Sequence, residues 1–192
     1  HAVIQAASGS PAVIAGIEIT TSEEVHLLGL FPDPDAAQAV ARMVESTLPP
    51  YAPSRHFGRP RVLNARGAPS GALDLLLGAA STLPLENAVE IIRRHGGLAV
   101  PSHVDRPSFS LLSQLGLFPD GVPFDAVELS PTAVNAGRAA DLIPPPFPII
   151  VSSDSHNLDE VGRGRTLFTL AAPDFPSLVA NLRENHGRTL LA

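Results

Sequence analysis

Pro148-Ile149-Ile150-Val151 runs directly into Ser152-Ser153-Asp154-Ser155-His156. The apolar half, with three β-branched residues, reads as a short buried strand. The polar half places a carboxylate and an imidazole two positions apart just past the strand end, among small serines that leave room for an ion. The same juxtaposition recurs along the chain. Leu98 to Pro101 is a brief apolar run that delivers Ser102-His103, with Asp105 and Arg106 close behind. Ala12 to Thr20 reads as a strand that carries Glu18 near its end. A short polar turn, Thr21 to Glu24, returns the chain into a second strand, Val25 to Phe31, which opens on His26. Strand, turn, strand brings His26 back to the end that holds Glu18. Polar side chains just beyond strand ends form the functional edge of α/β sheets and barrels.

Helical patterns separate these strands. Pro32-Asp33-Pro34-Asp35 caps a helix through about Val44, with Ala37, Val40, Ala41 and Val44 on one face. Leu85, Val89 and Ile92 recur at helical spacing until Gly96-Gly97 stops them. Further helices are predicted at 108–115, 131–142 and 174–185, and further strands at 124–129, 166–170 and 188–191. The residues before Ser8 read as the tail of a helix, 49–60 as a loop, 64–71 as a turn region and Leu73 to Leu77 as one helical turn. Alternating strands and helices imply an α/β fold with a mostly parallel sheet. A distorted (β/α) barrel accounts for the clustered polar rim better than a flat sheet. Residues 1–192 read as a single domain without internal repeats.

The bulk composition narrows the function classes. Hydrophobic content of 44% against 17% charged residues is that of a globular chain able to bury a core. The formal charge of −6 argues against a broad electrostatic footprint for long nucleic acid, while leaving room for a small anion held by metals and arginines. There is no cysteine, so disulfides and thiolate zinc sites are excluded, in keeping with a cytoplasmic location. No apolar run is long enough to cross a bilayer, and no membrane partner is expected. All thirteen basic side chains are arginines, which removes Schiff-base chemistry and weighs against an amidohydrolase that carries a carbamylated lysine.

Glu18 interrupts an apolar strand, where a carboxylate is costly unless paired or bound to metal. A rim glutamate paired with arginine is the plainer alternative. His26 and His103 have ordinary readings as a packed histidine and a loop histidine, and Asp154 as a helix cap. Glu128, in Val127-Glu128-Leu129, has a setting like that of Glu18 and suits a supporting or substrate-contact role. Arg106 and Arg163 are the candidate phosphate contacts. His56, His95 and His186 read as solvent-facing, the last two near helix C-termini.

Taken in order, these strings resemble the polymerase and histidinol phosphatase (PHP) superfamily of metal-dependent phosphoesterases. The resemblance rests on Gly16-Ile17-Glu18-Ile19-Thr20-Thr21, Glu24-Val25-His26-Leu27-Leu28-Gly29, Pro101-Ser102-His103 and Ser153-Asp154-Ser155-His156. Val161-Gly162-Arg163-Gly164-Arg165-Thr166 is also similar, as is the run Leu75 to Ala79 leading to His103 through Ser110. It implies a distorted seven-stranded (β/α) barrel around two or three divalent ions, Mn, Zn or Fe, with Mg also compatible. Carried across, Glu18, His26, His103, Asp154 and His156 are the metal ligands, and His103, His156 and Arg106 the catalytic groups. The family's opening Asp-x-His-x-His and its Thr-Asp-His lie upstream of the helix with which this chain opens, so the expected domain is N-terminally truncated and lacks its first strands.

The implied activity is hydrolysis of a phosphate ester by metal-activated water. The expected partner is a small phosphomonoester or nucleotide, with no long nucleic acid. The alternatives are an exonuclease or oligonucleotide phosphatase, and a catalytically silent PHP domain used for binding or structure.

Overall fold

The computed structural model describes residues 2–7, 11–53, 58–184 and 190–191. His56 and His186 lie outside the described residues, as does part of the strand expected at 188–191. The first half of the chain forms α1 (Ala2–Ala7), β1 (Ala15–Thr20), β2 (His26–Phe31), α2 (Pro34–Glu45), β3 (Arg61–Leu63) and β4 (Pro69–Ala72). There follow α3 (Leu85–Arg94), β5 (Leu98–Pro101), α4 (Leu111–Leu115), β6 (Val127–Glu128), α5 (Pro131–Asn135) and α6 (Ala139–Leu142). The last elements are β7 (Ile149–Ile150), a 3₁₀ turn at Leu158–Glu160, β8 (Thr166–Leu167), α7 (Phe175–Glu184) and β9 (Leu190–Leu191).

The central sheet is β1-β2-β5, antiparallel throughout. This departs from the expected parallel sheet, and the reason is local. Only five residues join β1 to β2, and Thr21 closes the turn by donating its N–H to the Val25 carbonyl at 2.9 Å. So short a link permits a hairpin and no crossover. Alternation along the strands gives the sheet two apolar faces. Ile19, Leu27 and Phe31 pack on the buried side of α2 and α3, with Val40, Val44, Val89 and Ile92. Leu98 and Val100 look the other way, onto Phe175, Leu178 and Leu182 of α7 and the partly buried Leu28 and Leu30. Gly97 allows β5 to leave α3 tightly, since a Cβ there would lie 2.8 Å from the Phe31 ring and 2.9 Å from the Leu30 carbonyl.

Caps fix the helix starts. The Asp33 carboxylate accepts the Ala36 N–H at 2.8 Å, and Pro34 occupies the first turn of α2, where its missing N–H costs nothing. The helix expected over 131–142 is broken into α5 and α6, because Gly137 turns left-handed (φ 69°) between them. Two further expectations are corrected. Leu73 to Leu77 is no helical turn, and Leu75 instead bridges Pro50. The region read as a plain turn at 64–71 is the tip and second arm of the β3-β4 hairpin.

Beyond the central sheet, the strands are short. β6 pairs in parallel with β7, and β8 pairs antiparallel with β9, each over two residues. The described residues form an α/β arrangement of small separate sheets that do not close, so the expected seven-stranded barrel is not seen among them. β6 nevertheless lies beside β5: the Asp125 N–H donates to the Ala99 carbonyl and the Val104 N–H to the Glu128 carbonyl, both at 2.9 Å. The ends of β5, β6 and β7 therefore share one edge. No helix among the described residues is long and apolar enough to cross a membrane.

Candidate metal centre

The hairpin register assembles the first half of the site. Glu18 stands opposite Leu28, and His26 is two residues before Leu28, so both side chains project from the same face as diagonal neighbours. Their closest atoms, Glu18 Oε1 and His26 Nδ1, are 3.7 Å apart. β5 continues the pattern. The Ser102 N–H donates to the His26 carbonyl at 3.0 Å, which places His103 at the strand end beside His26. The two imidazole rings meet edge to face with centroids 5.4 Å apart. One ligating atom from each of Glu18, His26 and His103 lies within 4.8 Å of the others.

Two features of this cluster ask for an electrophile. Nδ1 of His26 and Nδ1 of His103 are both buried without a hydrogen-bond partner, and Ser102 Oγ beside them is in the same state. Buried polar atoms left unpaired are costly, and imidazole nitrogens are satisfied by a proton donor or a cation. Burial, followed by the charge of Arg106, pushes the His103 pKa below its ordinary value, which keeps the ring in the neutral form that ligates metals. Two imidazoles and one carboxylate form a borderline donor set of the kind that binds Zn, Fe or Mn while leaving positions free. The residues present fit a divalent ion.

His103 is held from behind. Its backbone sits in the left-handed region (φ 30°), and its N–H donates to Glu128 Oε2 at 3.4 Å. The other oxygen of Glu128 accepts a hydrogen bond from Ser152 Oγ. Burial raises the Glu128 pKa, with the Ser152 and His103 hydrogen bonds opposing the rise. Asp105 turns the other way, accepting the Ser130 N–H at 2.7 Å and fixing the start of α5.

The remaining sequence candidates take other positions. Asp154, also left-handed (φ 42°), pairs with Arg106 at 2.6 Å and is not one of the three clustered ligands. His156 is exposed, its Nδ1 2.9 Å from the Asp154 carbonyl and its N–H donating to Glu160. His95, expected to face solvent, ends α3 half-buried, with Nδ1 2.8 Å from the Ile91 carbonyl. Sequence reasoning missed Phe109. Its carbonyl accepts the His26 N–H at 3.0 Å, and its ring stacks on His26 with centroids 5.0 Å apart. The available signal was a lone aromatic in the loop directly after His103.

A family model described as PHP-associated matches residues 146–186, the stretch that contains β7 and the Ser-Asp-x-His string. The fold resembles the lesion-specific endonuclease EndoQ of Pyrococcus furiosus, with a TM-score of 0.57 and 18% identity over 92% of this chain. A second solved structure, Endonuclease Q in complex with a 27-mer duplex substrate with an abasic lesion at the active site, matches with a TM-score of 0.54 and 16% identity over 91% of this chain. The chain spans 40% of the length of each of those two structures. No curated protein matches it in sequence.

The comparison corrects one expectation. Net charge argued for a small phosphorylated partner and against long nucleic acid, yet the structural neighbours are endonucleases, one of them holding a DNA duplex. Net charge averages the whole surface, whereas a strand is met by one edge. In this chain Arg106 lies at the edge shared by β5, β6 and β7, and Arg163 and Arg165 line a groove beside β7.

Proposed function

We propose that this chain is the metal-bearing part of a PHP-type hydrolase that cleaves phosphodiester bonds in nucleic acid. The observation that carries the reading is the convergence of Glu18, His26 and His103 within 4.8 Å, with two buried imidazole nitrogens unpaired. Glu18, His26 and His103 would hold a first divalent ion, Mn, Zn or Fe, and Asp154 and His156 a neighbouring one. Such ions would supply an activated water and neutralise charge on the phosphate.

The chain's own residues do the rest. Arg106, two-fifths exposed, swings from Asp154 to the non-bridging oxygens of the scissile phosphate and offers them a planar pair of donors. Glu128 and Ser152 keep His103 oriented toward the cluster. Where it does not ligate an ion, His156 is exposed enough to carry a proton to or from solvent. The neighbouring ends of β5, β6 and β7 form one arc of a PHP-type barrel in this reading.

The test is cleavage of three labelled substrates, namely duplex DNA with one abasic site, undamaged duplex and single-stranded oligonucleotide, with Mn²⁺, Zn²⁺ or EDTA present. Metal-dependent cleavage that falls at least about 100-fold in His103→Ala supports the proposal. Cleavage that persists in EDTA, or metal-loaded protein that cuts no strand, overturns it.

A further inference from the structure

A groove of about 270 Å³ opens between α5 and residues 163–165. Arg163 and Arg165 line it together with Asn135, Pro131 and Val151, and no carboxylate does. Among the described residues neither guanidinium has an ion-pair partner, in contrast to Arg93, Arg94 and Arg106. Glu160 lies close enough to feel the Arg163 charge, but its carboxylate is already engaged by the N–H groups of His156 and Asn157. Two unpaired guanidiniums facing one concavity repel each other, an arrangement relieved when an anion enters.

The segment that carries them is clamped. A Cβ at Gly164 would lie 2.2 Å from the Ser152 carbonyl oxygen and 2.9 Å from the Pro131 ring, so only glycine lets the segment come this close. Ser153 Oγ ties it down, accepting the N–H groups of Gly162 at 2.9 Å and Gly164 at 3.1 Å and donating to the Gly164 carbonyl at 2.9 Å. Ser153 is the neighbour of Asp154, the partner of Arg106. The groove wall at Val151 and Asp154 are three residues apart, a reach of at most about 11 Å. Phosphates on one strand of a duplex follow one another every ~3.4 Å of axis, so both places fall within a few nucleotides.

We propose that the Arg163–Arg165 groove is an anion subsite that grips a backbone phosphate of a nucleic-acid strand, a few nucleotides from the one presented to the metal cluster. It deepens the nuclease reading and rests on it for the identity of the anion. Binding is independent of turnover, and so is the test.

A fluorescent single-stranded 12-nucleotide DNA is titrated with the full chain in EDTA over a range of salt. The double variant Arg163→Gln/Arg165→Gln is compared with Arg61→Gln/Arg66→Gln, which removes the same charge from the distant β3-β4 hairpin. The first pair is expected to weaken binding about tenfold and to lower the slope of log K against log salt by about 0.7, the value for one lost phosphate contact on a single strand. The hairpin pair is expected to stay within about twofold of wild type. Equal losses in both pairs, no loss in the first, or a wild type that does not bind the strand overturns the subsite. Arginine-dependent binding without cleavage in metal would sink the hydrolase and leave the subsite standing, and cleavage with unaltered binding would do the reverse.

Discussion

Phe109 is left-handed (φ 53°), a conformation that costs a bulky residue of order 1–3 kcal/mol, and it lies between two serines on the loop that follows His103. That backbone lets one residue touch His26 twice, through its carbonyl and through its ring. With its ring stacked on one side and its N–H fixed, His26 keeps the rotamer that points its nitrogen at Glu18 and His103. Phe109→Ala is therefore expected to weaken Mn²⁺ or Zn²⁺ binding about tenfold by isothermal titration, with Phe109→Tyr restoring it. Equal affinity in Phe109→Ala would reduce the ring to surface cover. At this scale Glu18, His26 and His103 were legible because a charged or imidazole side chain at the end of an apolar run announces itself. Phe109 was not, because its role depends on a left-handed turn that no residue type there demands.

Among the elements, α3 illustrates what periodicity reads and what it leaves out. Its apolar face, Leu85, Val89 and Ile92, is visible in the sequence and is the face that meets β2. Its start is another matter, since the residue before it is Pro84, which offers no side-chain cap. The cap comes from the β1-β2 turn, where the Glu23 carboxylate accepts the Leu85 N–H at 3.0 and 3.1 Å. Burial alone pushes the Glu23 carboxyl up, but hydrogen bonds from Thr21 and from the Leu85 N–H outweigh it, and its pKa falls below the ordinary value. A carboxyl with a depressed folded-state pKa adds stability above its unfolded pKa of about 4.3 and loses it as pH drops through the folded value. Glu23→Gln is expected to cost about 1 kcal/mol at pH 7 in urea unfolding, the usual worth of a helix cap. The gap to wild type should shrink as the pH is taken below the folded-state pKa. A gap that held constant down to pH 3 would show that the carboxylate is not the capping group. The broken helix at 131–142 follows a related logic: the apolar spacing continues, but Gly137 ends the first turn.

For the molecule as a whole, formal charge was the least reliable guide. Nineteen acidic residues against thirteen arginines describe an acidic protein, yet Arg163 and Arg165 line a groove to which no carboxylate contributes. The barrel was overstated for a related reason, since strand-length signals at 124–129 and 166–170 yielded ladders of only two residues each. What holds the edge of β5, β6 and β7 together is therefore not a closed sheet but side chains brought in from separate segments. Glu18 and His26 come from β1 and β2, and His103 from the end of β5, so an ion shared by the three would cross-link the entire central sheet. Any ligand that binds only the folded state adds RT ln(1 + [L]/Kd), about 2.7 kcal/mol at a hundredfold excess over Kd. For a chain of 192 residues this corresponds to a rise in Tm of roughly 5–10 °C. Addition of Mn²⁺ or Zn²⁺ to EDTA-treated protein is expected to raise Tm by that amount in scanning calorimetry, and EDTA to reverse it. In Glu18→Gln/His26→Ala the rise should vanish while the metal-free Tm stays close to wild type, since both side chains lie on the partly solvated edge. An undiminished rise in the double variant would place the ion elsewhere and remove the structural basis for the metal centre.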